Sequence, residues 1–344
     1  MKYRSLGSTG IKVSPLCLGT MMFGAWGNTD HEDSIRIIHA ALDGGINFID
    51  TADMYAAGES EEIVGKALAG RRDKVIVATK VHGAMSFDPN EQGNSRRWII
   101  QECENSLRRL GTDYIDLYQI HRPDPEVDVD ETLAGLTDLI RQGKVRYAGS
   151  STFPASSIVE AQWTAERRQR ERFVCEQPPY SLLVRGVETE ILPICHKYGM
   201  GVICWSPLAG GWLSGKWRKD GSDLGSRRSA MLPDRYDLSK RGNQAKLDAA
   251  DALAHVADKA GITLIHLALA FIINHPAVTS AIIGPRTMEH FESQIGAADV
   301  TLDTEVLDQI DEIVPPGQNL LTDDAGYDPP SITQAWRRRR PHRV

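Results

Sequence analysis

Eight short apolar runs, each followed by a longer amphipathic or polar stretch, recur along this chain of 344 residues. They are LCLGT from Leu16, INFID from Ile46, KVIVATK from Lys74, IDLYQIH from Ile115, VRYAGSS from Val145, FVCEQ from Phe173, GVICWSP from Gly201 and TSAIIG from Thr279. Several are apolar throughout instead of alternating, as parallel strands covered on both faces are. Helix candidates lie between them: DSIRIIHAALDGG from Asp33, SEEIVGKALAG from Ser60, SRRWIIQECENSLRRLG from Ser95, DETLAGLTDLIRQGK from Asp130 and HFESQIGAA from His290. Asp33, Ser60, Ser95 and Asp130 are placed to accept a free amide at a helix start, and Gly44, Gly70, Gly111 and Gly143 to end one. Eight strand–helix units in order, with no composition break at a midpoint, read as one closed (β/α)8 barrel, with a doubly wound open sheet as the alternative. The barrel takes residues 1–315, and residues 316–344 form a C-terminal extension of loop, extra helix or partly disordered chain.

Two segments fall outside this rhythm. KYRSLGSTGIKVS near the N-terminus carries a Gly-Ser-Thr-Gly turn between two short runs, a hairpin placed to plug the barrel bottom. The stretch from Gly210 to Gly242 is long, polar and rich in Arg, Ser and Gly, and a loop of that length is more often functional than idle. The net charge of -7 argues against chain-wide affinity for nucleic acid or anionic membrane. WRRRRPHRV, from Trp336 to Val344, is a local exception that reads as a solvated tail, with polyanion binding as the alternative. Five scattered cysteines show no C-x-x-C pair or zinc spacing, so neither a disulfide framework nor a metal site is expected. No apolar h-region follows Met1, and LIHLALAFII from Leu264 is too short to span a bilayer, so the expected compartment is a reducing cytosol.

In such a barrel the C-terminal ends of the strands share one mouth, where the active site sits. The second strand ends in Asp50, with Tyr55 just beyond; the third ends in Lys80 and the fourth in His121. A tyrosine, with an ordinary pKa of about 10, is a poor acid at neutral pH. A lysine ammonium beside it favours the phenolate and lowers that value, while Asp50 keeps the lysine charged. His121 can hold a carbonyl oxygen by hydrogen bond. Any one of these alone is an ordinary polar strand end; together they make a general acid for an oxygen that gains charge.

Facing them, strand five ends in Ser150, Ser151 and Thr152, strand six in Gln177, and strand seven in Trp205 and Ser206. Hydroxyls, an amide and a flat aromatic match a carboxamide-bearing ring. Strand eight ends in GPRT and opens a helix, where backbone amides and Arg286 suit a phosphate. A ligand with that ring at one end and a phosphate at the other is a nicotinamide dinucleotide. No G-x-G-x-x-G, P-loop or H-E-x-x-H pattern is present, so Rossmann, P-loop and metal modes find no support.

GINFIDTADMYAAGESEEIVGKAL resembles the first signature of the aldo-keto reductase superfamily, ATK and YQIH fall where its lysine and histidine are expected, and AIIGPRTMEHFESQIGA is similar to its cofactor-phosphate segment. YRSLGSTGIKVSPLCLGTMMFG is more similar to the bacterial and potassium-channel β-subunit branch than to the mammalian one, and the likeness covers about residues 1 to 315. The resemblance implies a catalytic tetrad of Asp50, Tyr55, Lys80 and His121, with Tyr55 as proton donor. It implies Ser151, Thr152 and Gln177 on the nicotinamide amide, Trp205 against the ring, and Ser206, Leu208, Gly210 and Lys216 toward the pyrophosphate. Gly284, Arg286 and His290 would hold the adenosine phosphate and Gln294 the adenine, with Arg286 favouring NADP(H) over a weaker NAD(H). Histidine at 121, not glutamate, resembles the carbonyl reducers. The chain departs from the family pattern where Thr152 stands in place of a usual asparagine, Ser293 and Gln294 in place of a Glu-Asn pair, and His290 in place of a frequent glutamine.

The expectation is an NADPH-dependent reductase of aldehydes or ketones, with a cofactor-sensing regulatory subunit of slow turnover as the alternative. Met22, Phe23, Trp26 and Phe87 are expected to wall the substrate pocket. Nucleic-acid and membrane partners are not expected, and a homo-oligomer stays open.

Overall fold

The computed structural model describes residues 1–221 and 227–339. Two short strands, β1 (Arg4–Ser5) and β2 (Lys12–Val13), pair antiparallel. Eight parallel strands follow: β3 (Leu16–Gly19), β4 (Phe48–Asp50), β5 (Ile76–Val81), β6 (Ile115–Ile120), β7 (Val145–Ser151), β8 (Phe173–Gln177), β9 (Gly201–Cys204) and β10 (Ser280–Ile283). Each falls on one of the eight apolar runs. Because β10 pairs with both β9 and β3, the sheet closes into a barrel and the open-sheet alternative is excluded.

The strands alternate between two environments, as a period of two residues requires. Leu16, Leu18, Ile49, Val77, Tyr118 and Val202 pack outward in the large core under the helices. Cys17, Phe48, Ala78, Leu117, Cys175 and Ile203 meet inside the barrel. Two residues further along their strands, Phe48, Ala78, Leu117 and Cys175 give way to Asp50, Lys80, Gln119 and Gln177, all buried. The interior is therefore apolar below and polar at the mouth.

The hairpin closes the bottom. Leu6 and Val13 are fully buried in the inner cluster, and Ser8 N donates to Gly199 O at 2.9 Å. Gly7, at φ 54, lies so close to the chain that an added Cβ would stand 2.5 Å from Gly199 O, so no larger residue fits without displacing the plug.

Helices α1 (His31–Asp43), α2 (Glu59–Ala67), α3 (Arg96–Leu110), α4 (Val129–Arg141), α5 (Ala155–Arg168) and α6 (Ile191–Lys197) follow β3 to β8 in turn. Then α7 (Arg227–Met231), α8 (Arg241–Lys259) and α9 (Leu264–Ile273) follow β9, and α10 (Met288–Ile295) and α11 (Thr304–Ile313) follow β10. Ser95 caps α3 as expected, accepting from Trp98 N, and Gly111 ends it at φ 61. Three other helix starts differ. Asp30 caps α1 and Asp128 caps α4, so Asp33 and Asp130 sit inside the first turns, where Asp130 pairs with Arg170 at 2.8 Å. Ser60 lies within α2, whose N-cap is Gly58, and its hydroxyl turns inward to Thr20 O at 2.9 Å. Leu68, not Gly70, caps the end of α2, and Gln142 precedes Gly143 as the cap of α4. Among the described residues no single helix is long and apolar enough to cross a membrane, and the apolar α9 is buried.

In its described residues, 210–221 and 227–242, the segment from Gly210 to Gly242 is not an open polar loop; residues 222–226 lie outside the described residues. Trp212, Trp217 and Tyr236 form an aromatic cluster, with Trp212 and Trp217 centroids 4.3 Å apart, and Tyr236 Oη donates to Gly210 O at 2.7 Å. The described part of the C-terminal extension returns to the barrel. Residues 318–320 bond to the chain after β8, through Arg185 N to Gln318 O at 2.9 Å, Gly186 N to Asn319 Oδ1 at 2.7 Å and Leu320 N to Leu183 O at 3.1 Å. Buried Lys246 then pairs with Asp324, and Gly326, at φ 81, lies so close to Trp205 that an added Cβ would stand 2.7 Å from its Cζ2. Two short exposed turns, α12 (Pro330–Thr333) and α13 (Ala335–Arg338), end the described chain; Arg340 and Arg343 of the arginine tail lie outside the described residues.

Candidate active site

Lys80 is fully buried at the mouth end of β5, a position that costs several kcal/mol unless its charge is paired. Its Nζ donates to Asp50 Oδ1 at 2.5 Å, to Thr51 O at 2.8 Å and to Tyr55 Oη at 3.3 Å. The other Asp50 oxygen accepts from the side-chain amides of Gln177 at 2.8 Å and Gln119 at 3.1 Å, and Gln177 Nε2 also reaches Gln119 Oε1 at 3.2 Å. Both carboxylate oxygens are thus committed.

Burial pulls the Lys80 pKa down, but the charges of Asp50 and Tyr55 and the bonds to both outweigh it, leaving the ammonium above its ordinary value. Tyr55 goes the other way from the sequence expectation: burial pushes it above 10, and the opposing pull of Lys80 is the smaller effect in this structure. His121 packs edge-on to the Tyr55 ring, with centroids 5.9 Å apart. Burial, then the charges of Lys80 and Arg122, hold its pKa well below the ordinary value, so the ring is neutral; its Nδ1 is buried without a partner.

The backbone around these groups is strained. After Tyr55 the chain passes through three left-handed residues in succession, Ala56 (φ 49), Ala57 (φ 55) and Gly58 (φ 97). Of six non-glycine residues with positive φ among the described residues, five, namely Ala56, Ala57, Thr152, Ser206 and Ala209, lie in loops at the mouth. A β-branched residue is least suited to this region, and Thr152 takes it at φ 61 where an asparagine would be at ease. Strain of this kind gathers at sites that hold side chains in fixed directions.

On the facing side, Ser151 Oγ donates to Gln177 O at 2.9 Å, and Trp205 Nε1 donates to Thr152 Oγ1 at 3.3 Å. Gly210 N donates to Ser206 Oγ at 3.1 Å, with Leu208 packed on the core and Lys216 exposed beyond. At the end of β10, Gly284 is exposed and Arg286 half-buried. Burial, then the charges of Arg286 and Lys216, hold His290 below its ordinary pKa. Gln294 is buried and spends its amide within α10, on His290 O at 2.8 Å. Of the expected pocket residues, half-exposed Met22 and Trp26 lie after β3, with Trp26 6.1 Å from the Tyr55 ring. Two do not join them: Phe23 is sealed in the core, and Phe87 stands fully in solvent.

Sequence reasoning overlooked three supports. Gln119 sits two residues before His121 on one strand face, and that spacing alone was a usable signal. Glu59 accepts from Ala25 N at 2.7 Å and pairs with His31, tying the Trp26 loop to the turn that carries Tyr55. Asn28 Nδ2 donates to Arg286 O at 3.1 Å, joining the first loop to the last. No local pattern marks the latter two.

Glu176, fully buried behind Thr152, accepts from Ser150 Oγ and Phe153 N, and burial pushes its pKa up to about 7. Between about pH 4.5 and 7 the folded chain therefore holds a proton that the unfolded chain releases, so this group's contribution to stability falls as pH rises, by up to about 3 kcal/mol. Thermal melts at about pH 5 and pH 8 check this: Glu176→Gln is expected to gain stability relative to wild type over that interval, and a pH-independent difference would count against it.

The aldo/keto reductase family model matches residues 15–315. The chain is 42% identical over 327 residues to an uncharacterized oxidoreductase, YrpG, of Bacillus subtilis, covering 92% of this chain and 96% of the relative. It is 36% identical over 325 residues to a probable voltage-gated potassium channel subunit beta of Arabidopsis thaliana, covering 91% and 97%. It is 36% identical over 336 residues to the aldo-keto reductase YhdN of Bacillus subtilis, covering 95% and 96%.

Proposed function

The chain belongs to the aldo/keto reductase family, and from that premise we propose that it reduces aldehydes and ketones to alcohols with NADPH, Tyr55 acting as general acid. The observation that carries this reading is one buried ammonium, Lys80 Nζ, in contact with both Asp50 Oδ1 and Tyr55 Oη.

When bound, a nicotinamide cofactor would supply the hydride that reaches the carbonyl carbon. Tyr55 Oη gives its proton to the carbonyl oxygen as that oxygen gains charge, and Lys80 stabilises the phenolate left behind. Neutral His121 serves the oxygen as a hydrogen-bond partner without adding a second positive charge. Gln119 and Gln177 hold Asp50, and Asp50 keeps Lys80 charged and aimed. Ser151, Thr152 and Gln177 would hold the carboxamide, Trp205 the ring, Ser206, Leu208 and Gly210 the pyrophosphate segment, and Gly284 and Gln294 the adenosine end.

The residues present fit that cofactor. Among the described residues Arg286 and Lys216 form no ion pair, and the charges of both act on His290 against that of Glu289. Cations without a carboxylate partner whose charge reaches the first turn of α10 suit a phosphate ester, which favours NADPH over NADH. Initial rates with each cofactor over a small panel of aldehydes and ketones test the proposal, NADPH turnover being the expected result. Arg286→Ala is expected to weaken NADPH about tenfold to a hundredfold and leave NADH nearly unchanged; equal loss for both would remove the phosphate role.

The similarity to relatives named as channel subunits favours a second reading, a cofactor-sensing regulatory subunit. Tight NADPH binding with no turnover on any carbonyl in the panel would select it.

A further inference from the structure

Arg122 follows His121 directly, and its guanidinium lies over the site. Nη1 donates to the His121 carbonyl at 2.6 Å and to Thr152 Oγ1 at 3.1 Å, while Cζ stands 5.7 Å from the Trp205 ring centroid. Both bonds come from one nitrogen. Among the described residues Nε and Nη2 have no protein acceptor, and no carboxylate is within ion-pair distance.

The carboxylates nearby are spoken for. Asp50 holds Lys80 and two amides. Glu176 attracts the guanidinium through space, but it bonds to Ser150 Oγ and Phe153 N. Asp124 accepts from Glu126 N at 3.1 Å and Asn94 N at 3.3 Å. A half-buried guanidinium with most of its donors unused has given up solvation without recovering it from the protein. Its free edge presents the two-pronged geometry that matches a carboxylate.

The residues proposed above for the adenosine phosphate, Arg286 and His290, lie elsewhere, after β10. Arg122 instead interacts with Tyr55 and flanks Trp205, at the reacting end of the site.

We propose that Arg122 binds the anionic group of the substrate, so that the favoured carbonyl compounds carry a carboxylate a short spacer away from the aldehyde or ketone. This rests on the reductase reading of the same site. The free edge takes the carboxylate while Nη1 stays on His121 O and Thr152, so binding the anion and holding the His121 backbone share one rigid plane. Trp26, 6.1 Å from the Tyr55 ring, supplies a flat wall for an aromatic spacer.

Initial rates with NADPH test it on para-carboxybenzaldehyde and its methyl ester, two aldehydes that differ mainly in charge. Arg122→Ala is expected to lose about thirtyfold in kcat/KM for the acid, chiefly through KM, and less than about threefold for the ester. Arg122→Lys should recover part of the loss for the acid, since a point charge replaces the fork. Equal losses for both aldehydes, or a matching loss of NADPH affinity in a fluorescence titration, would overturn the inference and leave Arg122 as a positioning residue for Thr152. If wild type turns over neither aldehyde, it is the reductase reading that fails. Benzoate binding to the NADPH complex, measured by calorimetry, then decides the inference: loss in Arg122→Ala supports it, and equal binding refutes it.

Discussion

Tyr55→Phe is expected to lower kcat for carbonyl reduction by about a thousandfold while changing NADPH affinity less than about twofold. The substitution removes one oxygen and keeps the ring, so the edge contact with His121 and the neighbouring Trp26 stay in place. Only the proton donor and the Lys80 contact at 3.3 Å are lost. Because burial raises the Tyr55 pKa above 10, the acid form persists through the neutral range. The wild-type reduction rate should therefore stay flat there and fall only on the alkaline side, where the phenol ionises. A variant that keeps more than a tenth of the wild-type rate would show that another group, or water, donates the proton.

Lys80→Met is expected to be the most damaging single change, costing about 3–5 kcal/mol of stability as well as nearly all activity. The ammonium is fully buried, and its loss strands the Asp50 carboxylate in the barrel with only the amides of Gln119 and Gln177 for company. Urea denaturation checks the stability and steady-state rates the activity. The double variant Asp50→Asn with Lys80→Met should regain much of the stability, because no buried charge is left unpaired, yet remain inactive. A single variant as stable as wild type would mean that the Asp50–Lys80 pair is not desolvated in solution as it is in this structure.

The barrel and the meeting of Asp50, Lys80, Tyr55 and His121 were legible because each depends on local pattern. A strand's length, its period of two and the chemistry of its last residue are written within half a dozen positions. Helix starts were less legible at α1, α2 and α4. Asp30 and Asp33, or Asp128 and Asp130, offer the same carboxylate to a helix start, and packing of the following turns selects between them. Phe23 and Phe87 show the same limit, since an aromatic in a loop carries no mark of whether it turns toward the core or the solvent.

By itself, then, the sequence determined eight parallel strands, a plug beneath them and a titratable group at each of three neighbouring strand ends, all consequences of short-range periodicity. Tertiary structure alone decided what those groups bond to. Gln119 reaches Asp50 across 69 residues and Gln177 across 127, Arg122 meets Thr152, and Gly326 returns from the C-terminal extension to lie on Trp205. Such contacts are set by barrel closure, which brings distant strand ends within hydrogen-bond distance. That distance also lets burial exceed the pull of Lys80 on Tyr55, because how much water is excluded depends on every loop around the mouth and on no single stretch of chain.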